Sequence, residues 1–339
     1  MLNTPASFAE TTTFGPRTDV LSDVLALLRV TGSLLLAEDY APPWGIAVPS
    51  SREIAALLGV GRDVRVVAFH LVTRGRVEVR PEGGEARVVE AGEVAVCVDG
   101  AAHRLGQGRI SQVVPLPLLM AGHTNPFRPA WTPCAEDAAL VCGVFFLRHT
   151  HLNPLIDALP PLLHVAAPRE TPGRPLHAAA ALLAREVGHP RDGSGYVVAR
   201  LIEVLCADVV RAAMDCGAEG EGAVGWFRGL RDPLIGRALA LVHAQPGLDW
   251  SVGHLGREVG LSPSRFAARF SAVVGESPMA YVTRWRMRLA CDLLADTERG
   301  VGDIAARVGY TSVAAFNRAF KRYVGAPPAA WRAGARIVA

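Results

Sequence analysis

The stretch VGHLGREVGLSPSRFAARFSAVVGESPMAY, residues 252–281, recurs in pattern as VGDIAARVGYTSVAAFNRAFKRYVGAPPAAW, residues 301–331. The positions that recur with an offset of 50 are Ser262, Phe266, Phe270, Gly275, Pro278 and Tyr281, matched by Ser312, Phe316, Phe320, Gly325, Pro328 and Trp331. Upstream, Leu255, Val259 and Gly260 recur as Ile304, Val308 and Gly309 with an offset of 49, so one residue is inserted in a turn. One supersecondary unit is therefore present twice.

Each copy has the pattern of two helices joined by a turn. The first helices, 252–259 and 301–308, end at a Gly suited to the left-handed conformation that follows many helices. A Ser then stands where an N-cap is preferred, and the second helices, 263–273 and 313–324, carry Phe at i and i+4, a spacing that places both rings on one face. The pattern predicts a helix-turn-helix unit in duplicate.

The second helix of each copy is basic and contains no acidic residue. The first has Arg265 and Arg269, and the second has Asn317, Arg318, Lys321 and Arg322. A generic helical hairpin does not require this charge, whereas a helix that enters a DNA groove does, because phosphate contacts supply much of the affinity. The helix predicted between the copies, 278–295, is about 27 Å long, which suits two adjacent major grooves about 34 Å apart.

The chain is long enough for more than one domain, and its charge is unevenly distributed between the repeat region and the rest. Its 339 residues predict about two domains, and residues 226–339 carry 16 Lys and Arg against 8 Asp and Glu, whereas residues 1–225 carry 19 against 24. A polyanion partner for the C-terminal third is expected. No apolar run approaches the ~20 residues of a membrane span, and the N-terminus lacks a secretory signal, so we expect a cytoplasmic protein.

Upstream of the repeat, the sequence pattern changes twice along the chain. Residues 1–20 are expected to be a mobile tail, and 22–36 has the spacing of a short amphipathic helix. From 64 to 147, short runs rich in β-branched residues and broken by Gly predict a β-sandwich or barrel. Two helices follow, 176–187 and 196–214, and the Gly-rich stretch 216–225 marks a linker. The predicted domains are 21–165 for the β domain, 170–220 for a helical connector and 226–335 for the helix-turn-helix domain.

The segment WRMRLACDLLADTERGVGDIAARVGYTSVAAFNRAFKRYVGAPPAAWR closely resembles the signature of the AraC/XylS family of bacterial transcription regulators. Upstream, the segments APPWG, FHLVTRG, EAGEVAVCVDGAAHRL and NPLIDALPPLLHV resemble the cupin-type sensor domain of one branch of that family. The resemblance implies a multi-domain α and β protein with a cupin-like sensor and an all-α dual helix-turn-helix domain. It implies a transcription factor that binds double-stranded DNA, with an N-terminal domain that binds an effector or mediates dimerisation.

The family pattern also implies which side chains face DNA. Base contacts are expected from Ser264, Ala267 and Ala268 in the first recognition helix and from Val313, Ala314 and Arg318 in the second. Because Ala267 and Ala268 cannot hydrogen-bond a base edge, the first helix is expected to supply methyl contacts or positioning. The candidate DNA-binding residues are Ser264, Arg265, Ala268, Arg269, Ala314, Asn317, Arg318, Lys321 and Arg322.

Two His residues of the sensor half are candidate metal ligands. The spacing Gly92-x5-Val98-x-Gly100-x2-His103 resembles the second cupin motif, but the paired His of the first motif is missing and only His70 is present there. Two imidazoles without a third ligand bind metal weakly. We therefore expect no metal and no cofactor, with His70 and His103 as pocket or core residues.

Three hypotheses for the sensor half stay open. Trp44 is a candidate wall of an effector pocket, although it serves equally well as packing. Cys97 and Cys142 lie in separate predicted strands and are candidates for thiol-based redox sensing, against the commoner role of buried small hydrophobes. A cupin-type metal enzyme fused to a DNA-binding module is the alternative from another class, although no catalytic motif supports it.

The expected assembly is a homodimer. The helix 196–214 carries apolar residues around its circumference, including Val197, Val204 and Val210, so a second surface is expected to cover it. The DNA-binding domains are expected to hang from the flexible 216–225 linker. RNA polymerase is a further expected partner if the protein activates transcription, and no catalysis is expected.

Overall fold

The computed structural model describes residues 19–61, 64–130, 132, 134, 136–148, 150, 152–166, 175–216 and 225–337. The expectations of a mobile tail over residues 1–20 and of a Gly-rich linker over 216–225 fall almost wholly outside these ranges. Among the helices within them, none is both long and apolar enough to cross a bilayer.

The N-terminal half is a two-sheet β domain, as the short strand-like runs predict. Its strands are β1 Thr31–Tyr40, β2 Trp44–Val48, β3 Val64–Arg74, β4 Arg76–Pro81, β5 Arg87–Glu90, β6 Val94–Cys97, β7 His103–Gln107, β8 Val114–Pro115, β9 Ala138–Arg148 and β10 Leu162–Val165. One sheet has the order β1-β9-β3-β6-β10 and the other β5-β4-β7-β2-β8. Apolar side chains of both sheets share one core, which lies between them.

Of the helices in the described ranges, one precedes the first strand, three lie between strands of the β domain, and the others follow the last strand. Their bounds are α1 Val20–Leu28, α2 Ser51–Leu57, α3 Leu116–Met120, α4 Pro154–Ala158, α5 Pro175–Gly188, α6 Ser194–Cys216, α7 Trp226–Arg231, α8 Pro233–Ala244, α9 Val252–Glu258, α10 Pro263–Val274, α11 Pro278–Asp296, α12 Val301–Arg307, α13 Val313–Val324 and α14 Pro328–Ile337.

Strand β3 lies between two apolar cores, and this position explains why its sequence is apolar throughout rather than alternating. Val66 and Ala68 point into the core between the sheets. Val67 and Phe69, one residue out of phase, point to the opposite face and join a second core with the helices. A strand that is covered on both faces reads as a continuous hydrophobic run.

The helix predicted over 22–36 is wrong in its second half. Helix α1 ends at Leu28, and Arg29 adopts a left-handed conformation with φ of 42°. From Thr31 onward the chain is strand β1, in which Thr31 pairs with Phe146 of β9. The apolar residues Leu34 to Leu36 fit a helical period as well as a strand, and pairing with β9 decides between the two.

Helices α5 and α6 pack on the β domain and on each other. A Cβ placed on Gly32 of β1 would lie 2.1 Å from the Ile202 Cγ2, which shows how closely α6 approaches the sheet. Val210, expected on an open surface, is buried within the chain at 4% exposure, whereas Val204 is 49% exposed. The unpaired surface of α6 is therefore narrower than the sequence predicts.

The two helix-turn-helix units have separate cores joined by α11. Trp285 of α11 belongs to the core of the first unit, and Met287, two residues on, belongs to that of the second. The core of the first unit is continuous with the packing of α1 and α6 on the sheet, since Leu28, Ile202 and Phe270 fall in one apolar cluster. The first helix-turn-helix unit therefore packs against the N-terminal domain, while the expected linker over 216–225 lies almost wholly outside the described ranges.

One face of α11 also bonds directly to the β domain. Arg284 reaches Asp157 of α4 at 3.1 Å, the fully buried Arg288 donates to the Leu27 carbonyl at 3.3 Å, and Asp296 pairs with Arg29. The spacing of four and eight residues keeps these three side chains on one side of the helix. The helix between the recognition units is thereby held against the N-terminal domain.

Candidate nucleic-acid interface

The duplicated pattern folds as two units with the same order of helices. Ser262 caps α10 by accepting from the Arg265 amide, and Ser312 caps α13 by accepting from the Ala315 amide. Both recognition helices end at a Gly in the left-handed region, with φ of 92° at Gly275 and 86° at Gly325. The N-caps and the Gly stops predicted from the sequence are confirmed.

Paired Phe side chains orient each recognition helix. The members of each pair are Phe266 with Phe270 and Phe316 with Phe320, with ring centroids 5.7 and 5.6 Å apart. All four are at most 2% exposed. Because these rings fix the inner face of α10 and α13, the opposite face of each helix is turned to solvent.

Every side chain of the predicted DNA-binding set lies on those outer faces. The exposed residues are Ser264, Arg265, Ala268 and Arg269 on α10, and Ala314, Asn317, Arg318, Lys321 and Arg322 on α13. Neither helix contains a carboxylate. The surface is therefore a pair of positive ridges, the electrostatic condition for contact with phosphate.

Arg269 differs from the other basic residues because it has a carboxylate partner. Its Nε and Nη2 donate to Asp232 Oδ2 at 3.0 and 2.7 Å. Burial raises the pKa of Asp232, but the bonds from Arg269 and from the Ile235 and Leu234 amides outweigh this and leave the pKa below its ordinary value. The sequence could not reveal this pair, since the two residues are 37 positions apart.

Helix α11 spaces the two ridges. It has 19 residues, which corresponds to about 28 Å, close to the separation of successive major grooves. Tyr281 of α11 accepts from the Trp226 indole at 3.0 Å and bonds His243 at 2.7 Å, so the start of α11 is locked into the first unit. Helix α11 therefore connects the two recognition units and is fixed at its start to the first.

The second group of candidate residues lies inside the β domain. His70 Nε2 is 2.7 Å from His103 Nε2, and His70 Nδ1 is 3.1 Å from Cys142 Sγ. His70 and Cys142 are direct cross-strand partners in β3 and β9, whereas His103 begins β7 in the other sheet. Cys97, the last residue of β6, completes a group of three possible metal ligands with the two His.

Burial dominates the protonation of this group. It lowers the pKa of His70 well below the ordinary value, with a further contribution from His103, and it lowers the pKa of His103. It raises the pKa of the Cys97 and Cys142 thiols to about 12. In the ion-free protein near neutral pH the imidazoles are neutral and the thiols protonated, which is unfavourable for thiolate chemistry.

Comparison with known protein families gives a match for each half of the chain. Residues 19–215 match the family model described as cupin, more than half of the chain, and residues 255–334 match the model described as helix-turn-helix domain. The chain belongs to the AraC/XylS family of transcription regulators. The cupin match extends through α5 and α6, in keeping with their packing on the sheet.

Similar individual proteins are named as regulators or factors of transcription. A putative AraC-like transcription regulator from Streptomyces lividans is 28% identical over 316 residues, covering 93% of this chain and 98% of the relative. The HTH-type transcriptional regulator AlkR of Acinetobacter baylyi is 28% identical over 272 residues, covering 78% and 86%. A solved structure of the DNA-binding domain of AdpA in complex with a target DNA is 29% identical and covers 31% of this chain and 95% of that one, with a TM-score of 0.30.

Trp44 of this AraC/XylS-family chain is a packed core residue. It is fully buried, stacks on Tyr40 with centroids 4.6 Å apart, and donates to Gln107 at 3.1 Å. The two candidate redox thiols are separated by β3, which lies between β9 and β6. Two strand spacings of about 4.8 Å exceed the reach of a disulfide, so a Cys97–Cys142 bridge needs backbone movement.

Sequence reasoning missed that Cys97 joins His70 and His103. The residues are far apart in the sequence and come from both sheets, so no spacing rule connects them. His149 and His151 lie outside the described ranges. The expectation of no metal rested on the lack of a third ligand, and Cys97 supplies one.

Proposed function

We propose that this member of the AraC/XylS family binds a specific site in duplex DNA by placing α10 and α13 in adjacent major grooves. The observation that carries the proposal is the pair of equivalent, exposed, acid-free helix faces on either side of a rigid 19-residue spacer. One chain then covers two neighbouring segments about one helical turn apart.

The two helices have unequal roles in this proposal. Arg318 is the side chain best suited to a base edge, since its guanidinium matches the two acceptors of guanine, and Asn317 lies beside it. Lys321 and Arg322, one turn further along α13, contact phosphate. On α10, Ser264, Arg265 and Ala268 provide small polar and methyl contacts, so α10 contributes more to register than to base choice.

Selection of binding sites from a random duplex pool by the full chain tests the proposal. We expect one enriched site with two conserved segments separated by about one turn of DNA. The wild-type chain, Arg318→Ala and a control, Arg87→Ala on the exposed side of β5, are then compared by gel shift on that site. Failure to enrich any sequence, or equal losses for Arg318→Ala and Arg87→Ala, would contradict the proposal.

The β domain acts as the sensor of an effector in this proposal, and the contacts between α11 and the segments around Leu27 and Asp157 support a route from sensor to DNA. A homodimer is proposed through α5 and α6. Tyr196, Val197 and Val204 support it, since they are 74, 39 and 49% exposed on one helix. A monomer in light scattering at tens of micromolar would refute the dimer.

The remaining parts of the proposal follow from regulation of transcription. The protein works in the bacterial cytoplasm, where its DNA target lies, and contacts RNA polymerase if it activates. No catalytic step is part of the proposal. The alternative of a cupin-type enzyme requires turnover of a substrate, and the redox alternative requires thiol oxidation that alters DNA binding.

A further inference from the structure

The interior of the β-sandwich contains three potential metal ligands from three different strands. The ligand atoms of His70, Cys97 and His103 all lie within 4.8 Å of one another. The three residues are 1, 3 and 4% exposed. Since β3 and β6 belong to one sheet and β7 to the other, the cluster bridges the two sheets across their shared core.

The hydrogen bonds fix how His103 is presented. The Ala101 carbonyl, which can only accept, is 3.0 Å from His103 Nδ1, so this nitrogen carries the proton. The neutral ring then directs the lone pair of Nε2 toward His70. A ligating His whose other N–H is held by a backbone carbonyl is the usual arrangement at metal centres, because that bond sets tautomer and ring orientation.

His70 can supply a second lone pair to the same point. Without an ion, its Nε2–H donates to His103 Nε2 at 2.7 Å, and its Nδ1 accepts from the Cys142 thiol at 3.1 Å. If the proton moves to Nδ1, where Cys142 Sγ becomes its acceptor, Nε2 is free. Cys142 thereby faces the non-ligating nitrogen of His70 and positions the ring.

The donor set selects the class of ion. Two imidazoles and one thiolate favour zinc and similar divalent ions over Mg²⁺ or Ca²⁺, which prefer oxygen. Tetrahedral ligation with Zn–N bonds of about 2.0–2.1 Å separates two ligand nitrogens by about 3.3 Å. The two Nε2 atoms, now 2.7 Å apart, need to separate by less than 1 Å.

A surface pocket adjoins one member of the cluster. This pocket of about 390 Å³ lies against β2, the β4–β5 turn and the start of β7, and His103 is among its lining residues. His70 and Cys97 are not among its lining residues, so the pocket meets the cluster at His103 alone. Open fourth positions are typical of sites that exchange ligands, whereas closed sites with four protein ligands are structural.

We propose that His70 Nε2, His103 Nε2 and Cys97 Sγ bind one divalent ion of the zinc class inside the sensor domain, with a fourth position left for water or a small ligand. On binding, the Cys97 thiol releases one proton to solvent and its sulfur lone pair forms the metal bond. The His70 proton moves from Nε2 to Nδ1, so each ring stays neutral. The proposal does not depend on DNA binding.

Cobalt(II) is the probe that tests it, because a thiolate ligand gives cobalt a sulfur-to-metal charge-transfer band. The full chain is stripped with chelator, titrated with Co²⁺ and then with Zn²⁺, and desalted for elemental analysis. We expect about one ion per chain, a charge-transfer band with tetrahedral visible bands, and displacement of cobalt by zinc. A wild-type chain that retains no ion and develops no such band overturns the proposal without any variant.

Matched Cys→Ser variants assign the ligands. Cys97→Ser is expected to abolish the charge-transfer band, and Cys142→Ser to retain it with about a tenfold weaker affinity, as for the loss of a residue that orients a ligand. Cys206→Ser, a buried thiol on α6, is the control and should behave as wild type. If the band survives in Cys97→Ser and disappears in Cys142→Ser, the assignment is wrong.

Discussion

Arg269 of the first recognition helix is held by Asp232, the N-cap of α8, through two bonds to one carboxylate oxygen at 3.0 and 2.7 Å. The same carboxylate caps α8 by accepting from the Leu234 and Ile235 amides. One of the basic side chains expected to face DNA is thus partly neutralised within the protein. The second helix has no such pair among its described side chains.

Asp232→Asn is expected to release Arg269 toward phosphate. The amide oxygen can still accept from the Leu234 and Ile235 amides, so α8 keeps its cap, while the negative charge is lost. Binding should become tighter for all DNA sequences alike. The slope of the logarithm of the binding constant against the logarithm of salt concentration should steepen by about one, because one more phosphate is neutralised. Gel shifts at several salt concentrations measure both. Unchanged affinity and slope would mean that Arg269 contacts no phosphate.

Arg318→Ala and Arg322→Ala should have different effects, although both remove one exposed charge from α13. The first should cost about 1–3 kcal/mol on the selected site and relax preference at one base position. The second should weaken all sequences similarly and lower the salt slope by about one. Competition between the selected site and a scrambled duplex separates the two. If Arg322→Ala alone changed base preference, the roles would be reversed.

Phe320→Ala should destabilise the second helix-turn-helix unit and spare the first. Phe320 is fully buried in a core separate from the one that joins the first unit to the sensor. Loss of a buried Phe costs about 3–5 kcal/mol. Hydrogen exchange should accelerate in α12, α13 and α14 and stay slow in α8 and α10. Val313→Ala, on the exposed face, serves as the control, and uniform loss of protection would contradict separate cores.

His243 should make the first unit sensitive to acid. Burial lowers its pKa from 6.5 to about 3. Between these values the unfolded chain binds a proton that the folded chain does not, so stability falls as the pH drops below about 6.5, by about 1.4 kcal/mol per unit. The free energy of unfolding, measured with urea, should fall between pH 7 and pH 5 in the wild-type protein. This fall should be about 2 kcal/mol larger than in His243→Gln. An equal difference in both proteins would show that His243 does not titrate on unfolding.

Arg288 should be more tolerant of an apolar replacement than of truncation. It is fully buried, bonds Asp292 one turn away and reaches the Leu27 carbonyl. Arg288→Ala leaves Asp292 without this partner and opens space, at a cost of about 3–5 kcal/mol. Arg288→Met combined with Asp292→Leu fills the space without charge and should cost less. Thermal melting of both proteins checks the order, and a double variant as unstable as Arg288→Ala would contradict it.

Much of the helix-turn-helix domain could be predicted from the sequence because its determinants are local. Ser262 and Ser312 cap helices within three residues, Gly275 and Gly325 stop them, and the Phe pairs lie one turn apart, so spacing alone specifies the units. The boundaries differ from the predicted ones by a residue or two, as helix ends generally do. The nine positions predicted to bind DNA are exposed, as the same period predicts.

Only the tertiary structure decided the relationships that join distant segments. Leu34 to Leu36 suit a helix as well as a strand, and pairing with β9 made them a strand. Cys97 meets His70 and His103 because two sheets pack face to face, and Asp232 meets Arg269 because α8 lies beside α10. Helical and strand periods act over a few residues and are written in the sequence, whereas contacts between separate elements depend on how those elements pack.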